Sequence, residues 1–301
     1  MSRILAKLET GRILVSDGGW GTFLHKKGLA VGDCPEIWNI EKRSEVLEIA
    51  KAYVAAGSDL IETNSFGGTS IKLKHYGLDK RAYELNKAAA EISNEAAGND
   101  VFVLGSIGPT GKFIMMGDVT EAELYESFAE QSKALADGGA DAICIETFYA
   151  IDEALIALKA AKENTNLEVI ITFTFDMVLE GKYNTMMGVS PAQMTQELVN
   201  AGADIIGTNC GNGFEGMINI VKEIRSANNN IPILVHANAG LPIIHDGKTL
   251  FPDSPELMAS LTNKIISAGA NIIGGCCGTT PDHISRIKGV VDIYNNSLIT
   301  K

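Results

Sequence analysis

A chain of 301 residues with 37 acidic against 25 basic side chains lacks the clustered positive charge that grips a phosphate backbone, which excludes nucleic acid as a partner. No apolar run reaches the length of a membrane span, and charges break up the N-terminal stretch where a secretory signal needs an apolar core, so a cytoplasmic location with no membrane partner is expected. Five cysteines, an odd number, argue against a disulfide framework and leave the thiols for metal binding or packing.

Eight apolar runs rich in β-branched residues follow one another, each trailed by a helical pattern. Strands are predicted at residues 13–17, 59–63, 101–106, 142–146, 169–173, 204–208, 233–236 and 271–274. The intervening helices carry start signals: Ser44 before Glu45, Thr120 with Glu123, Ser190 with Pro191 and Gln193, Ser254 with Pro255, and Thr280 with Pro281. An internal echo runs through Ala56-Gly57-Ser58-Asp59, Gly138-Gly139-Ala140-Asp141, Ala201-Gly202-Ala203-Asp204 and Ala268-Gly269-Ala270-Asn271. Each glycine suits a helix end that needs positive φ, and each echo precedes an even-numbered strand.

Strict strand–helix alternation, eight times over, predicts a single (β/α)8 TIM barrel spanning residues 1–301. A doubly wound open sheet would also bury parallel strands, but the count of eight and the even-strand echo favour closure. The longest irregular stretches, near 18–43, 64–78, 108–119, 176–189 and 237–253, all follow strands and would crowd one rim.

That rim is where barrel enzymes place their chemistry. Strand ends supply Asp17, Glu62, Asn64, Glu146, Thr147, Asn209, Cys210, His236, Asn238, Cys276 and Cys277. The vicinal thiols sit in Gly274-Gly275-Cys276-Cys277-Gly278-Thr279-Thr280-Pro281, a strand-to-helix turn, and Cys210 occupies a similar turn two strands earlier. Three thiols with an open fourth position are the ligand set of a catalytic zinc site. A vicinal redox disulfide is the alternative. Cys144, between Ile143 and Ile145, reads as core, and Cys34, beside Pro35, as packing. His236 reads as a hydrogen-bonded scaffold residue. His25, His75, His245 and His283 read as solvated. Trp20, Trp38, Phe66, Phe113, Met115, Met116, Tyr149, Met186 and Met187 are candidates to rim the site, or to pack.

Read in order, Asp17-Gly18-Gly19-Trp20-Gly21-Thr22, Glu62-Thr63-Asn64-Ser65-Phe66-Gly67, Gly105-Ser106-Ile107-Gly108-Pro109-Thr110-Gly111, Glu146-Thr147-Phe148, Asn209-Cys210, Asn238-Ala239-Gly240 and the Gly274–Pro281 turn resemble the homocysteine S-methyltransferase family. The likeness is strongest to the homocysteine-binding module of cobalamin-dependent methionine synthase. The resemblance implies zinc held by Cys210, Cys276 and Cys277, with the homocysteine thiolate as fourth ligand. It implies that Asn238 closes the zinc site when the acceptor is absent. It also implies an amino-acid pocket made by Asp17, the Gly18-Gly19 backbone and Glu146, with Thr147 beside it.

The residue types fit that chemistry. A free thiol is mostly protonated at neutral pH, whereas a metal-bound one is deprotonated outright. The expected activity is methyl transfer to homocysteine, giving methionine. The chain ends soon after the eighth helix, so the expected donor is a methylcorrinoid on a separate protein. Small donors such as S-methylmethionine or betaine are the alternative. Thr147 stands where betaine users of the family place tyrosine, which counts against betaine. The loop at 183–188 departs from the family's usual form, which leaves a different thiol acceptor open. A zinc or thiol sensor without catalysis is a third reading. A Schiff-base barrel lyase would need a lysine at a strand end, and none stands there.

Overall fold

The computed structural model describes residues 4–179, 181–245 and 248–299. Eight parallel strands form one sheet: β1 (Leu14–Val15), β2 (Leu60–Glu62), β3 (Phe102–Ile107), β4 (Ala142–Phe148), β5 (Glu168–Phe173), β8 (Ile205–Asn209), β9 (Ile233–Ala237) and β12 (Ile272–Gly275). Their order is β1-β12-β9-β8-β5-β4-β3-β2. A parallel bridge from Ser16 to Leu60 joins the two ends, and Asp59 N–H donates to Val15 O across the seam at 2.6 Å. Helices alternate with the strands, so the fold is the expected (β/α)8 barrel.

The strands read as unbroken apolar runs because both faces are covered. Alternate residues divide between two cores. Ile61, Val103, Ile143, Ile171, Ile206, Val235 and Ile273 pack outward against the helices. Leu60, Leu104, Cys144, Ile170, Ile205, Leu234 and Ile272 fill the barrel, with Ile4 and Leu8 of the helix Ile4–Leu8 packed against them. Cys144 is fully buried there, as its apolar neighbours suggest.

Local signals account for most element ends. Gly57, Gly139, Gly202 and Gly269 adopt φ of 94°, 96°, 85° and 117° at the helix-to-strand turns. Thr120 and Glu123 form a reciprocal capping box, and the Ser190 and Ser254 side chains accept from Gln193 N–H and Leu257 N–H. Ser44 is not a cap: the helix Arg43–Ala55 starts before it, after Lys42, with no side-chain cap. His283 is not solvated either. It is buried, its Nδ1 accepts from Thr280 N–H at 3.2 Å, and its Nε2 lies 3.0 Å from Asp253 O. The side chain of His245 lies outside the described residues.

Two loops after strands are not irregular. β6 (Asp176–Leu179) pairs antiparallel with β7 (Lys182–Asn184), and β10 (Ile243–His245) with β11 (Lys248–Leu250). The hairpins follow β5 and β9, the strands on either side of β8, which leads into Cys210.

Candidate active site

A cavity of about 550 Å3 opens at the C-terminal end of the barrel. Gly18, Gly19, Glu62, Asn64, Glu146, Thr147, Cys210, His236, Cys276 and Cys277 line it, together with Trp20, Phe66 and Ser106. Residues predicted from six different strand ends therefore meet in one place. Asp17, Asn209 and Asn238 stand behind this wall, buried, and do not line the cavity.

Cys210 follows β8 in a left-handed conformation with φ of 57°, its N–H bonded to His236 O at 2.9 Å. Cys276 follows β12, its N–H bonded to Ala237 O at 2.7 Å. Backbone bonds from β9 thus fix both turns. The three Sγ atoms of Cys210, Cys276 and Cys277 lie within 4.8 Å of one another. Hydrogen bonds from the Cys276 and Cys277 thiols push Cys210 down to about 3. Donating to Cys210 pushes Cys276 well up and Cys277 up to about 12. Of the three, Cys210 is the thiol that gives up its proton most readily. The Asn238 side chain also bonds to Cys210, while its Oδ1 has no hydrogen-bond partner among the described residues. A soft, three-sulfur donor set with a free carbonyl oxygen beside it fits a tetrahedral zinc ion.

The glycines around the thiols are there because the backbone segments touch. A Cβ on Gly19 would meet Cys276 O at 2.6 Å, and one on Gly18 would meet Thr279 Oγ1 at 2.7 Å. A Cβ on Gly275 would meet Thr279 Oγ1 at 2.3 Å. Thr279 ties the turns together, its Oγ1 accepting from Gly19 N–H at 3.0 Å and donating to Cys276 O at 2.7 Å. Tyr53 donates to Gly19 O at 3.2 Å from behind. Sequence reading missed Thr279 and Tyr53. Thr279 lies within the quoted turn, whereas Tyr53 sits on a helix with nothing to mark it.

Opposite the thiols is an acidic wall. Glu146 accepts from Ser106 Oγ, and from Asn209 Nδ2 at 3.1 Å. Glu62 accepts from the Cys144 thiol and lies 3.4 Å from His236 Nδ1. Asp17 Oδ2 accepts from Trp20 Nε1 and from Glu62 N–H, both at 2.8 Å. Burial, reinforced by Glu62, raises Asp17 to about 7, and burial raises Glu62 to about 7. Burial and Glu62 also push Glu146 well up. Burial pushes His236 down, so it stays neutral, and its Nε2 has no partner among the described residues. The crowded, buried carboxyls resist ionisation, and a cation placed among them would relieve that resistance.

Segments that follow strands carry exposed apolar side chains: Met115 and Met116 after β3, Met177, Val178 and Leu179 of β6, Met186 and Met187 after β7, and Ile243 and Ile244 of β10. Val31, Phe66 and Tyr76 are exposed and line the cavity, and Phe113 packs on Tyr149 with ring centroids 6.1 Å apart. Trp38 is buried in the core and takes no part.

Comparison with known proteins agrees with this geometry. The profile of the homocysteine S-methyltransferase family matches residues 14–291. Methionine synthase of Mycobacterium leprae (strain TN) is 31% identical over 309 residues, which cover 96% of this chain and 25% of that protein. Methionine synthase of Mycobacterium tuberculosis (strain ATCC 25618 / H37Rv) is 32% identical over 299 residues, 93% of this chain and 25% of that protein. The chain thus spans about a quarter of the length of these relatives. Two crystal structures of the Escherichia coli homocysteine methyltransferase MmuM share the fold with TM-scores of 0.77. The oxidized form is 22% identical and covers 95% of this chain and 98% of its own; the metallated form is 21% identical and covers 94% and 98%.

Proposed function

The chain belongs to the homocysteine S-methyltransferase family, and on that footing we propose that it moves a methyl group onto the sulfur of homocysteine, forming methionine, as one acceptor-binding barrel. The observation that carries this reading is the pairing of three clustered thiols with the Glu146 carboxylate on the walls of one cavity. Cys210, Cys276 and Cys277 would hold zinc, which when bound would deprotonate the acceptor thiol and keep its sulfur nucleophilic.

The chain's own groups do the rest. Asn238 offers its side-chain oxygen to the site until the acceptor sulfur takes its place. Burial and Glu62 hold back the ionisation of Glu146 until the acceptor ammonium sits against it, and the contact is then charge-assisted. Glu62 lines the same wall, its N–H bonded to Asp17. Asp17 acts one layer back, steadying Glu62 and the Gly18–Gly19 turn that cradles the amino-acid backbone. Thr147 closes the cavity wall beside Glu146. No general base is required at the sulfur.

For the donor we read a methylcorrinoid carried by a separate protein. The support is the set of exposed apolar side chains, Val31, Phe66 and Tyr76 on the cavity and Met177, Val178, Leu179, Ile243 and Ile244 on the hairpins after the strands flanking β8, a surface suited to a protein-sized donor that docks and leaves. Methyl transfer to homocysteine is to be compared with methylated corrinoid protein, free methylcobalamin, S-methylmethionine and betaine as donors. Turnover with the corrinoids, lost in Cys210→Ala, Cys276→Ala and Cys277→Ala but kept in Cys144→Ala, is the expected result. Turnover with S-methylmethionine alone would refute the donor assignment, and full activity in the three cysteine variants would refute the site.

A further inference from the structure

Asn209 touches neither the cavity nor the thiols, yet its side chain is saturated. Its Oδ1 accepts from Thr147 N–H and from Thr172 Oγ1, each at 2.8 Å. Its Nδ2 donates to Thr147 Oγ1 at 2.7 Å and to Glu146 Oε2 at 3.1 Å. Two lone pairs and two N–H groups are all a primary amide has, so every one is used. The partners are unusual. Thr147 has φ of 63° and Cys210, the next residue after Asn209, has φ of 57°; among the described residues no other non-glycine residue has positive φ. A left-handed backbone is costly for any side chain and most of all for a β-branched one such as threonine, so it persists only where the surroundings over-determine it. One buried amide therefore sits between the two strained turns of the site, one presenting a thiol and the other presenting Glu146.

We infer that Asn209 is a positioning residue that locks the metal-ligand turn and the acceptor-carboxylate turn to each other, a role that rests on the proposed function. Through Thr147 N–H it holds the left-handed turn after Glu146, and through Nδ2 it aims the Glu146 carboxylate. Its own anchored Cα fixes where the Cys210 turn begins. Zinc and acceptor affinity are thereby coupled through a group that contacts neither.

The test uses wild type, Asn209→Ala, Asn209→Ser, Thr147→Gly and the Asn209→Ala/Thr147→Gly double variant. Zn2+ affinity is read by competition with a chromophoric chelator. L-homocysteine affinity is read by titration calorimetry at saturating Zn2+. Asn209→Ala should weaken Zn2+ binding about 10–100-fold, the usual effect of losing a group that orients a metal ligand, and weaken homocysteine comparably. Asn209→Ser, which keeps a hydroxyl in the same space, should fall between and carries the comparison if the alanine variant does not fold. Glycine adopts φ near +60° freely, so Thr147→Gly should restore part of the homocysteine affinity in the double variant and none of the Zn2+ affinity. That split would not follow from a general loss of stability. The inference is overturned if Asn209→Ala and Asn209→Ser keep both affinities within about twofold, or if Thr147→Gly restores both ligands equally or neither. Wild type that binds neither Zn2+ nor homocysteine would overturn the proposed function and this inference with it.

Discussion

Replacing Gly19 with alanine should damage the metal site without touching a ligand. Gly19 has φ of -65° and ψ of 105°, a backbone any residue accepts, so the effect is purely steric. The new Cβ would lie 2.6 Å from Cys276 O and 2.7 Å from Thr22 Oγ1. Ordinary contact begins at 3.4 Å, so the Cys276 carbonyl must yield by about 0.8 Å. Metal–ligand distances tolerate only about 0.2 Å, and the carbonyl belongs to a ligand residue. Overpacking of this kind costs about 1–3 kcal/mol, which corresponds to Zn2+ affinity lowered by about 5–160-fold. Gly21→Ala is the matched control, because nothing lies within 4 Å of its Cβ position and it sits on the helix Trp20–Lys26, where alanine is favourable. Chelator competition measures both. Equal Zn2+ affinity in wild type and Gly19→Ala, or equal loss in both variants, would refute the argument that the two turns are packed to fix the thiols.

Glu146→Gln should leave the metal in place and raise the homocysteine dissociation constant by about 13–160-fold, the loss of a charge-assisted hydrogen bond worth about 1.5–3 kcal/mol, as calorimetry would show; unchanged affinity would remove Glu146 from the acceptor pocket. Zn2+ affinity should climb steeply with pH. Cys276 and Cys277 are protonated without metal and must each release a proton, so apparent affinity should rise about 100-fold per pH unit between about pH 6 and 8. Glu62 carries the opposite sign for stability. Its folded-state pKa of about 7 lies above the ordinary 4.5, so the folded state keeps a proton that the unfolded state sheds, and stability is lost as pH rises from about 4.5 through 7. The loss from this group is up to about 3 kcal/mol. Thermal melts of metal-free protein should therefore fall from pH 5 to 8, and Glu62→Gln should flatten the fall; an identical slope would show that the carboxyl is not strained by burial.

The barrel was legible because its strands obey one rule. Runs such as Ile143-Cys144-Ile145 and Val169-Ile170-Ile171 are apolar on both faces, as a doubly covered parallel sheet demands, and glycines such as Gly202 punctuate every second return. The thiols were legible because Gly274-Gly275-Cys276-Cys277-Gly278 has no packing rationale apart from close approach, which the structure bears out where Gly274 meets the backbone at Asp17 O and Gly275 meets the Thr279 side chain. The hairpin at Asp176–Leu179 was not legible, since all four residues of β6 are exposed and no burial periodicity marks it. Ser44 carried a cap signal that the chain ignores, because the helix already begins at Arg43. His283 looked solvated at the start of a surface helix, but its ring folds back to Thr280 and across to Asp253 O, a contact between segments that sequence spacing does not encode. The same is true of Asn209, whose partners come from β4 and β5.

Zinc-edge X-ray absorption on the loaded protein, with and without L-homocysteine, tests the central claim most directly. Three clustered thiols should give a first shell of three sulfurs and one oxygen or nitrogen, and added homocysteine should convert it to four sulfurs. A shell that does not change on adding homocysteine, or that contains fewer than three sulfurs beforehand, would contradict the account.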